Sequence, residues 1–426
     1  MRRQIHLLAA APLLALATPA GAQAPQGQSL PETIADALAH APQLDEAKAG
    51  EAEAGARLDG ARAEGRPLVA VDGSIGTGRI DNGGFFGFGA ANTTPLVLRA
   101  GAEMPLYAGG RVAAAMDQAR GKLEIAHLQL ADARSQTMVA AVSAYAGVLS
   151  ARRIEARFQQ LSTELGEVER QTTLRFKTGE IPKSDLAAAI ARRAEGEAAL
   201  AQAQGQRISA EAEYRRLTGH DAGTLAPLPP LPATPATLDD AMDGAHRANP
   251  SLAEADKGID IAHAGIRAAK AESLPTIGAF AEATRTRDEF FPDYRADAVT
   301  VGVRGHWTLW AGGRTAAKIH AADAGLDASE AKAREARDAI ESAVISAWTG
   351  LATANRVVVA TAASAAAAAE ALRSTRLEAK VGAKPTLAVL DAEREATAAD
   401  AAAIAAEGQR LIVAWQLDAL TGNLPQ

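Results

Sequence analysis

The chain repeats itself, and this duplication constrains its fold more than any other feature of the sequence. A set of leucines and prolines near the start recurs 208 positions later. The pairs are Leu30 and Leu238, Pro42 and Pro250, Leu44 and Leu252, and Pro67 and Pro275. The segment LYAGGR at 106–111 recurs as LWAGGR at 309–314, and LTG at 217–219 recurs at 420–422, both 203 positions on. One register held over so much chain indicates a single duplicated unit.

The chain therefore divides into two repeats, 28–219 and 238–424, rather than into unrelated domains. The offset falls from 208 to 203 between Pro67 and Leu106, so the first repeat carries five extra residues there. Between the repeats, 220–237 contains prolines at 227, 229, 230, 232 and 235. Because proline fixes φ and lacks a backbone N–H, we expect this stretch to be an extended linker.

Residues 1–22 have the pattern of a secretory signal peptide. Arg2 and Arg3 precede an apolar run at 7–16, and the small residues Ala20, Gly21 and Ala22 follow. The apolar run is shorter than the roughly 20 residues that a membrane-spanning helix needs. No later run of 18 uninterrupted apolar residues occurs, so the sequence predicts an exported protein without a spanning helix.

Composition excludes several classes of protein. The chain has no cysteine, which excludes thiol catalysis, disulfides, cysteine-type zinc sites and an N-terminal lipidated cysteine. A net charge of −7 argues against a nucleic-acid partner. No metalloprotease, nucleophile-elbow or phosphate-loop motif occurs, and we expect neither enzymatic activity nor a cofactor nor a bound metal. Only 4% of residues are aromatic, whereas alanine is abundant, which favours long thin helices over a thick core.

Alternating residues predict four strands, at about 68–80, 95–107, 276–286 and 297–309. In the last of them Val299, Val301, Val303, Gly305, Trp307 and Leu309 share one face. Strands of about ten residues with one apolar and one polar face are typical of outer-membrane barrels. A two-faced sheet in a soluble domain is the alternative.

Helix-forming residues fill 111–178 and 314–381, and neither segment contains a proline. Each predicts a helix about 100 Å long. The segments 179–182 and 382–385, which begin with glycine and end with proline, break these helices. Return helices are predicted at 183–218 and 386–421. Each repeat is therefore expected to be a helix, strand-hairpin and long-helix unit, and the chain is mainly α with a small β part.

Four strands cannot close a membrane barrel, because such barrels begin at about eight strands. An open edge in lipid would leave backbone groups unpaired at a cost of several kcal/mol each. If the strands span a membrane, several chains must share one barrel. Tyr107, Trp307 and Trp310 lie where strand meets helix, as an interfacial aromatic belt requires, and local packing is the alternative for each ring.

Several segments together resemble the TolC family of outer-membrane factors. They are LYAGGR and LWAGGR after a strand, the helix breaks RFKTGEIPKSDL and EAKVGAKPTLAVLDAE, and the closing LTG of each repeat. The resemblance covers 28–424 in both repeats. It implies a homotrimer with a 12-stranded β-barrel and a long α-helical barrel, placed in the outer membrane of a Gram-negative bacterium with the helices in the periplasm. It also implies contact with outer-membrane lipid, a periplasmic adaptor protein and an inner-membrane transporter.

The resemblance also implies roles for particular residues. Asp391 falls on an acidic-ring position of a periplasmic gate, Asp185 on a latch carboxylate and Lys384 on a latch cation. Ala388 and Ala379 depart from the family pattern, where a second acid and an aromatic latch residue are found. The helix-break residues, where the adaptor would dock, are Gly179, Pro182, Gly382 and Pro385, and the strand-to-helix junctions are Gly109, Gly110, Arg111, Gly312, Gly313 and Arg314. Asp185 and Asp391 as plain surface residues are the alternative.

Two functions remain open on these grounds. The first is a passive export duct, carrying either small molecules and metal ions from a tripartite pump or unfolded proteins in type I secretion. The missing acylation cysteine favours the secretion-type branch, by resemblance only. The second is a periplasmic coiled-coil scaffold or adhesion protein without a pore.

Overall fold

The computed structural model describes residues 27–81, 83 and 89–424, so the expected signal peptide at 1–22 lies outside the described residues. The first repeat contains α1 (Leu30–His40), α2 (Pro42–Ala63), β1 (Leu68–Ile75), β2 (Gly78–Ile80), β3 (Ala91–Thr93), β4 (Leu96–Tyr107), α3 (Arg111–Lys177) and α4 (Lys183–Thr218). The second contains α5 (Leu238–Ala248), α6 (Pro250–Ala271), β5 (Thr276–Arg287), β6 (Arg295–His306), α7 (Arg314–Lys380) and α8 (Thr386–Thr421). The mainly helical fold with a small β part is confirmed.

The two longest helices have 67 residues each, so both extend for about 100 Å. Each begins after a glycine in the left-handed region, Gly110 at φ 85° and Gly313 at φ 86°. Each ends at another such glycine, Gly179 or Gly382, whose backbone N–H bonds to a carbonyl of the last turn. Glycine adopts this conformation without the strain that a Cβ causes, so it sets both ends of the long helices.

The helices form one layer with a fixed order and two open sides. Next to the sheet the order is α2, α3, α6, α7, and at the far end it is α4, α3, α8, α7. The short helix α1 packs on α3 and α4, and α5 packs on α7 and α8. Within one chain α7 therefore ends the layer on one side, and α2 and α4 end it on the other.

The main sheet is antiparallel, in the order β1, β4, β5, β6. Its order matches that of the helices, because β1 follows α2, β4 precedes α3, β5 follows α6 and β6 precedes α7. The strands β1 and β6 have open edges within the described chain.

The core is thin. Tyr145 and Tyr214 anchor one apolar cluster, with α1 and the linker packed on α3 and α4, and Val344 and Leu417 anchor a second, under α5. The chain exposes 26212 Å² of surface, whereas a compact monomer of 43.8 kDa exposes about 15,000 Å². This excess means that the single chain is not a closed globule.

Two strand expectations are corrected. The first predicted strand, 68–80, is broken: β1 stops at Ile75, and β2 pairs with β3 as a separate hairpin. The fourth, 297–309, ends at His306 as β6, so Trp307 and Leu309 follow the strand rather than sharing its face. Glycines at 76 and 78 in the first strand allow the break.

One helix among the described residues is long and apolar enough to cross a membrane by length and composition. It is Arg314–Lys380, with an 18-residue window of mean hydropathy 1.3. The sequence expectation missed this window because it counted uninterrupted apolar runs. Only 11% of this window is buried within the chain.

Candidate functional site

The four-stranded sheet separates an apolar face from a polar face. Two rows cross the apolar face: Val71 pairs with Ala100, Ala283 and Val299 in turn, and Val69 with Ala102, Ala281 and Val301. Val299 is 80% exposed and Val301 is 75% exposed, so the described part of the chain leaves this face uncovered. Exposed apolar side chains on consecutive strands form a surface suited to lipid.

The opposite face carries charges. Arg99 and Glu282 form an ion pair, with Nε and Oε1 3.1 Å apart. The guanidinium of Arg304 lies 4.7 Å from the centre of the Phe280 ring, a cation–π contact. Asp72 pairs in register with Arg99 on the neighbouring strand. This charged face is therefore suited to contact with water.

The three interfacial aromatics lie together at the helix end of the sheet. Tyr107 is the last residue of β4, and Trp307 and Trp310 follow β6. The Trp307 indole Nε1 donates to the Ser273 carbonyl at 3.1 Å, and Trp310 is 86% exposed. Their rings flank the apolar band at one end only, where an amphipathic ring suits a membrane boundary.

The two strand-to-helix junctions have the same backbone but different surroundings. Gly109 and Gly312 both have φ 60°. A Cβ on Gly109 would lie 2.9 Å from the Ala271 carbonyl oxygen and 2.9 Å from Leu274 Cβ, whereas one on Gly312 would meet nothing within 4 Å. Arg111 bonds to Glu64 of α2 at 2.8 Å. The first junction is packed inside the chain, and the second faces open space.

At the far end of the helices, the two helix breaks face a common cleft of about 510 Å³. Asp185, Lys384, Gly382 and Pro385 line it, so the structure brings these predicted site residues together. Lys384 pairs with Glu378 at 2.9 Å, on its own hairpin. Gly179 and Pro182 form the turn of the other hairpin, next to the lining residue Ile181.

Asp391 does not line this cleft, although the preceding residue, Leu390, does. Its Oδ1 is 3.0 Å from Nη2 of Arg192 on α4, but the two groups are not aligned as a hydrogen bond. Glu195 and Asp391 together hold the pKa of Arg192 above its usual value. Asp391 is therefore not an isolated carboxylate, because Arg192 lies beside it. The sequence did not predict this role for Arg192.

Further ion pairs that the sequence did not predict join the two repeats. Arg153 pairs with Glu407 at 2.8 Å, and Arg157 with Asp400 at 2.5 Å, both between α3 and α8. Residues 153 and 407 are far apart in the chain, so no spacing rule could have found these pairs.

The family model of outer membrane efflux proteins matches residues 33–220 and 242–423, which are the two repeats.

The chain belongs to the outer membrane efflux protein family.

The family resemblance read from the sequence is thereby confirmed. A curated relative, outer membrane efflux protein BepC of Brucella suis, is 28% identical over 289 residues, which are 68% of this chain. The chain spans 63% of the length of that relative in the match.

Solved structures share the fold. A membrane protein from Pseudomonas aeruginosa matches with a TM-score of 0.81 at 19% identity, covering 92% of this chain and 90% of that one. The open state of the MtrE outer membrane channel of Neisseria gonorrhoeae matches with a TM-score of 0.76 at 20% identity, covering 92% and 89%. The Neisseria neighbour is described as a channel, and members of the family lie in the Gram-negative outer membrane, as this chain does.

Among the described residues of this efflux family member, no group of three or more histidines and carboxylates is placed to hold a metal ion.

Proposed function

We propose that this protein is the outer-membrane channel-tunnel of a tripartite export system. The observation that carries the proposal is the pair of open sides. Sheet and helical layer follow the same order, and both stop at the same two boundaries, β1 with α2 and α4 on one side, and β6 with α7 on the other.

Copies of the chain can close these sides on each other. Because β6 is antiparallel to β1, the β6 edge of one copy can pair with the β1 edge of the next and continue the antiparallel alternation. Three copies give twelve strands, a number within the range of membrane barrels. Closure also satisfies the backbone groups that an open edge would leave unpaired in lipid.

The same closure gives the proposed site residues their roles. The apolar face would meet outer-membrane lipid, with Tyr107, Trp307 and Trp310 at the periplasmic boundary. The polar face, with Arg99 and Arg304, would line a water-filled lumen. The long helices would continue the duct into the periplasm, and Asp391, Asp185 and Lys384 would lie at its narrow end as a gate.

The proposed duct is passive: the chain conducts the cargo but does not drive its movement. A periplasmic adaptor would dock at the helix breaks around Gly179, Pro182, Gly382 and Pro385, and an inner-membrane transporter would drive the cargo. Small molecules are the favoured cargo class, because the relative at 28% identity is named an efflux protein. Secretion of unfolded proteins through the same duct is the second candidate.

Fractionation with conductance recording tests the proposal. We expect the protein in the outer-membrane fraction, extracted only by detergent, with channels of uniform conductance in planar bilayers. A soluble monomer in periplasmic washes would establish the scaffold alternative instead.

A further inference from the structure

Three charged side chains from three helices meet in the half of the helical layer that lies away from the sheet. Nη2 of Arg376 on α7 lies 2.5 Å from Oε2 of Glu164 on α3 and 3.1 Å from Oε1 of Glu393 on α8. Nε of Arg376 also donates to Glu393 at 3.3 Å. One guanidinium is thus shared by two carboxylates, and the cluster carries one net negative charge.

Glu393 is the buried member of this cluster. It is 5% exposed, and its Oε2 has no hydrogen-bond partner among the described residues. Burial raises the pKa of Glu393, the Arg376 hydrogen bond lowers it and the Glu164 charge raises it again. The cation that α4 contributes nearby, Arg192, pairs with Asp391 and Glu195 and not with Glu393. A buried carboxylate oxygen without a donor is a site for a proton.

The cluster has no charged counterpart in the first repeat. At the offset of 203, Arg376 and Glu393 correspond to Thr173 and Ile190 of the first repeat, which carry no charge. The cluster lies where the second hairpin, α7 and α8, contacts α3. An apolar contact adjoins it, with Leu161, Leu165 and Leu390 as its buried members.

We propose that Glu164, Arg376 and Glu393 form a proton-controlled clamp, which holds the α7–α8 hairpin against α3 when one proton is bound. A proton from water binds Oε2 of Glu393, so the cluster changes from one negative charge to neutral, and Arg376 is left to pair with Glu164. Separating the hairpin from α3 returns Glu393 to water. The closed form binds the proton more tightly than the separated form, so low pH favours closure and rising pH loosens the clamp.

The consequence for export rests on the proposed duct, whereas the clamp is a property of the chain itself. If three copies surround one lumen, loosening three clamps would allow the three α7–α8 hairpins to move outward at the narrow end. The control would then depend on the pH of the periplasm.

Spin-label distances test the clamp without any transport assay. The chain has no cysteine, so Gln159→Cys on α3 and Ala398→Cys on α8, both exposed, can be labelled cleanly in the full-length protein in detergent. We expect the shortest label distance, which lies within one chain, to lengthen by about 2 Å or more from acid to neutral pH, the scale of helix shifts in switching proteins. Glu393→Gln, neutral at every pH, should remove this change.

Two further variants keep the outcome interpretable. Asp400→Asn removes a carboxylate from the same α3–α8 contact but outside the cluster, and it should retain the change. Glu164→Gln removes the neighbouring negative charge, so the midpoint should move to lower pH. A distance independent of pH in the parent, or a change that persists in Glu393→Gln, would overturn the clamp. Loss of bilayer conductance in the parent would overturn the proposed function but not the clamp.

Discussion

Arg157 of α3 and Asp400 of α8 form an ion pair across the contact between the two repeats, with Nε and Oδ2 2.5 Å apart. By the offset of 203, Arg157 corresponds to Ala360 on α7, and Asp400 corresponds to Glu197 on α4. Both of these residues are exposed, and they lie on α7 and α4, the helices that end the layer on its two sides. If copies pack as the repeats do, Ala360 of one copy lies beside Glu197 of the next.

Substitutions at the two junction glycines should affect different steps, folding at Gly109 and assembly at Gly312. Gly109→Ala adds a Cβ at positive φ, costing about 1 kcal/mol, and forces it against Ala271 and Leu274 inside the chain. Gly312→Ala has the same φ but open space in the single chain. We expect Gly109→Ala to lower the yield of folded chain, and Gly312→Ala to give folded chain that assembles poorly. Size-exclusion chromatography with light scattering measures both, and equal behaviour of the two variants would contradict this difference.

Asp418 should make stability depend on pH. It is 4% exposed, its Oδ1 has no hydrogen-bond partner among the described residues, and burial raises its pKa to about 6. Because the folded state binds the proton more tightly, stability is highest below the unfolded pKa and falls as pH rises towards 6. The loss amounts to roughly 2–3 kcal/mol.

Asp418→Asn should therefore stabilise the protein at neutral pH and flatten the dependence, as measured by thermal melting at about pH 5 and pH 8. The same pH dependence of melting in Asp418→Asn and in the parent would contradict this role of Asp418.

The proposed gate predicts opposite effects for two partners. Three copies of Asp391 around a narrow lumen would bind cations, so Asp391→Ala should lessen block by divalent cations in single-channel recordings. Arg192 lies beside Asp391 and offsets its charge, so Arg192→Ala should deepen the same block. Unchanged block in both variants would mean that Asp391 is a surface residue without a gating role.

Much of the fold was readable because its signals are local. Absence of proline predicted long helices at 111–178 and 314–381, and the structure ends them at Lys177 and Lys380. Glycines at 179 and 382 mark those ends because only a positive φ allows the turn. Period-two alternation found the strands, but not that β1 would stop at Ile75.

Contacts between helices were not readable, because they depend on how the layer packs. The sequence indicated Asp391 only through the family resemblance, and it gave no sign of Arg192, which lies 199 positions earlier on another helix. The buried cluster at Glu393 was missed for the same reason, since Glu164, Arg376 and Glu393 come from three helices. Comparing the repeats shows only that Thr173 and Ile190 stand at the positions equivalent to Arg376 and Glu393.

Disulfide crosslinking of Ala360→Cys with Glu197→Cys tests the shared duct most directly, because the chain has no other cysteine. The doubly substituted protein, oxidised in membranes, should run on a denaturing gel as a covalent species of three chains. Each single substitution should give monomer, and Arg157→Cys with Asp400→Cys should crosslink within one chain and leave the mass unchanged. A double variant that remains monomeric, or a ladder that continues beyond three chains, would contradict closure of three copies around one lumen.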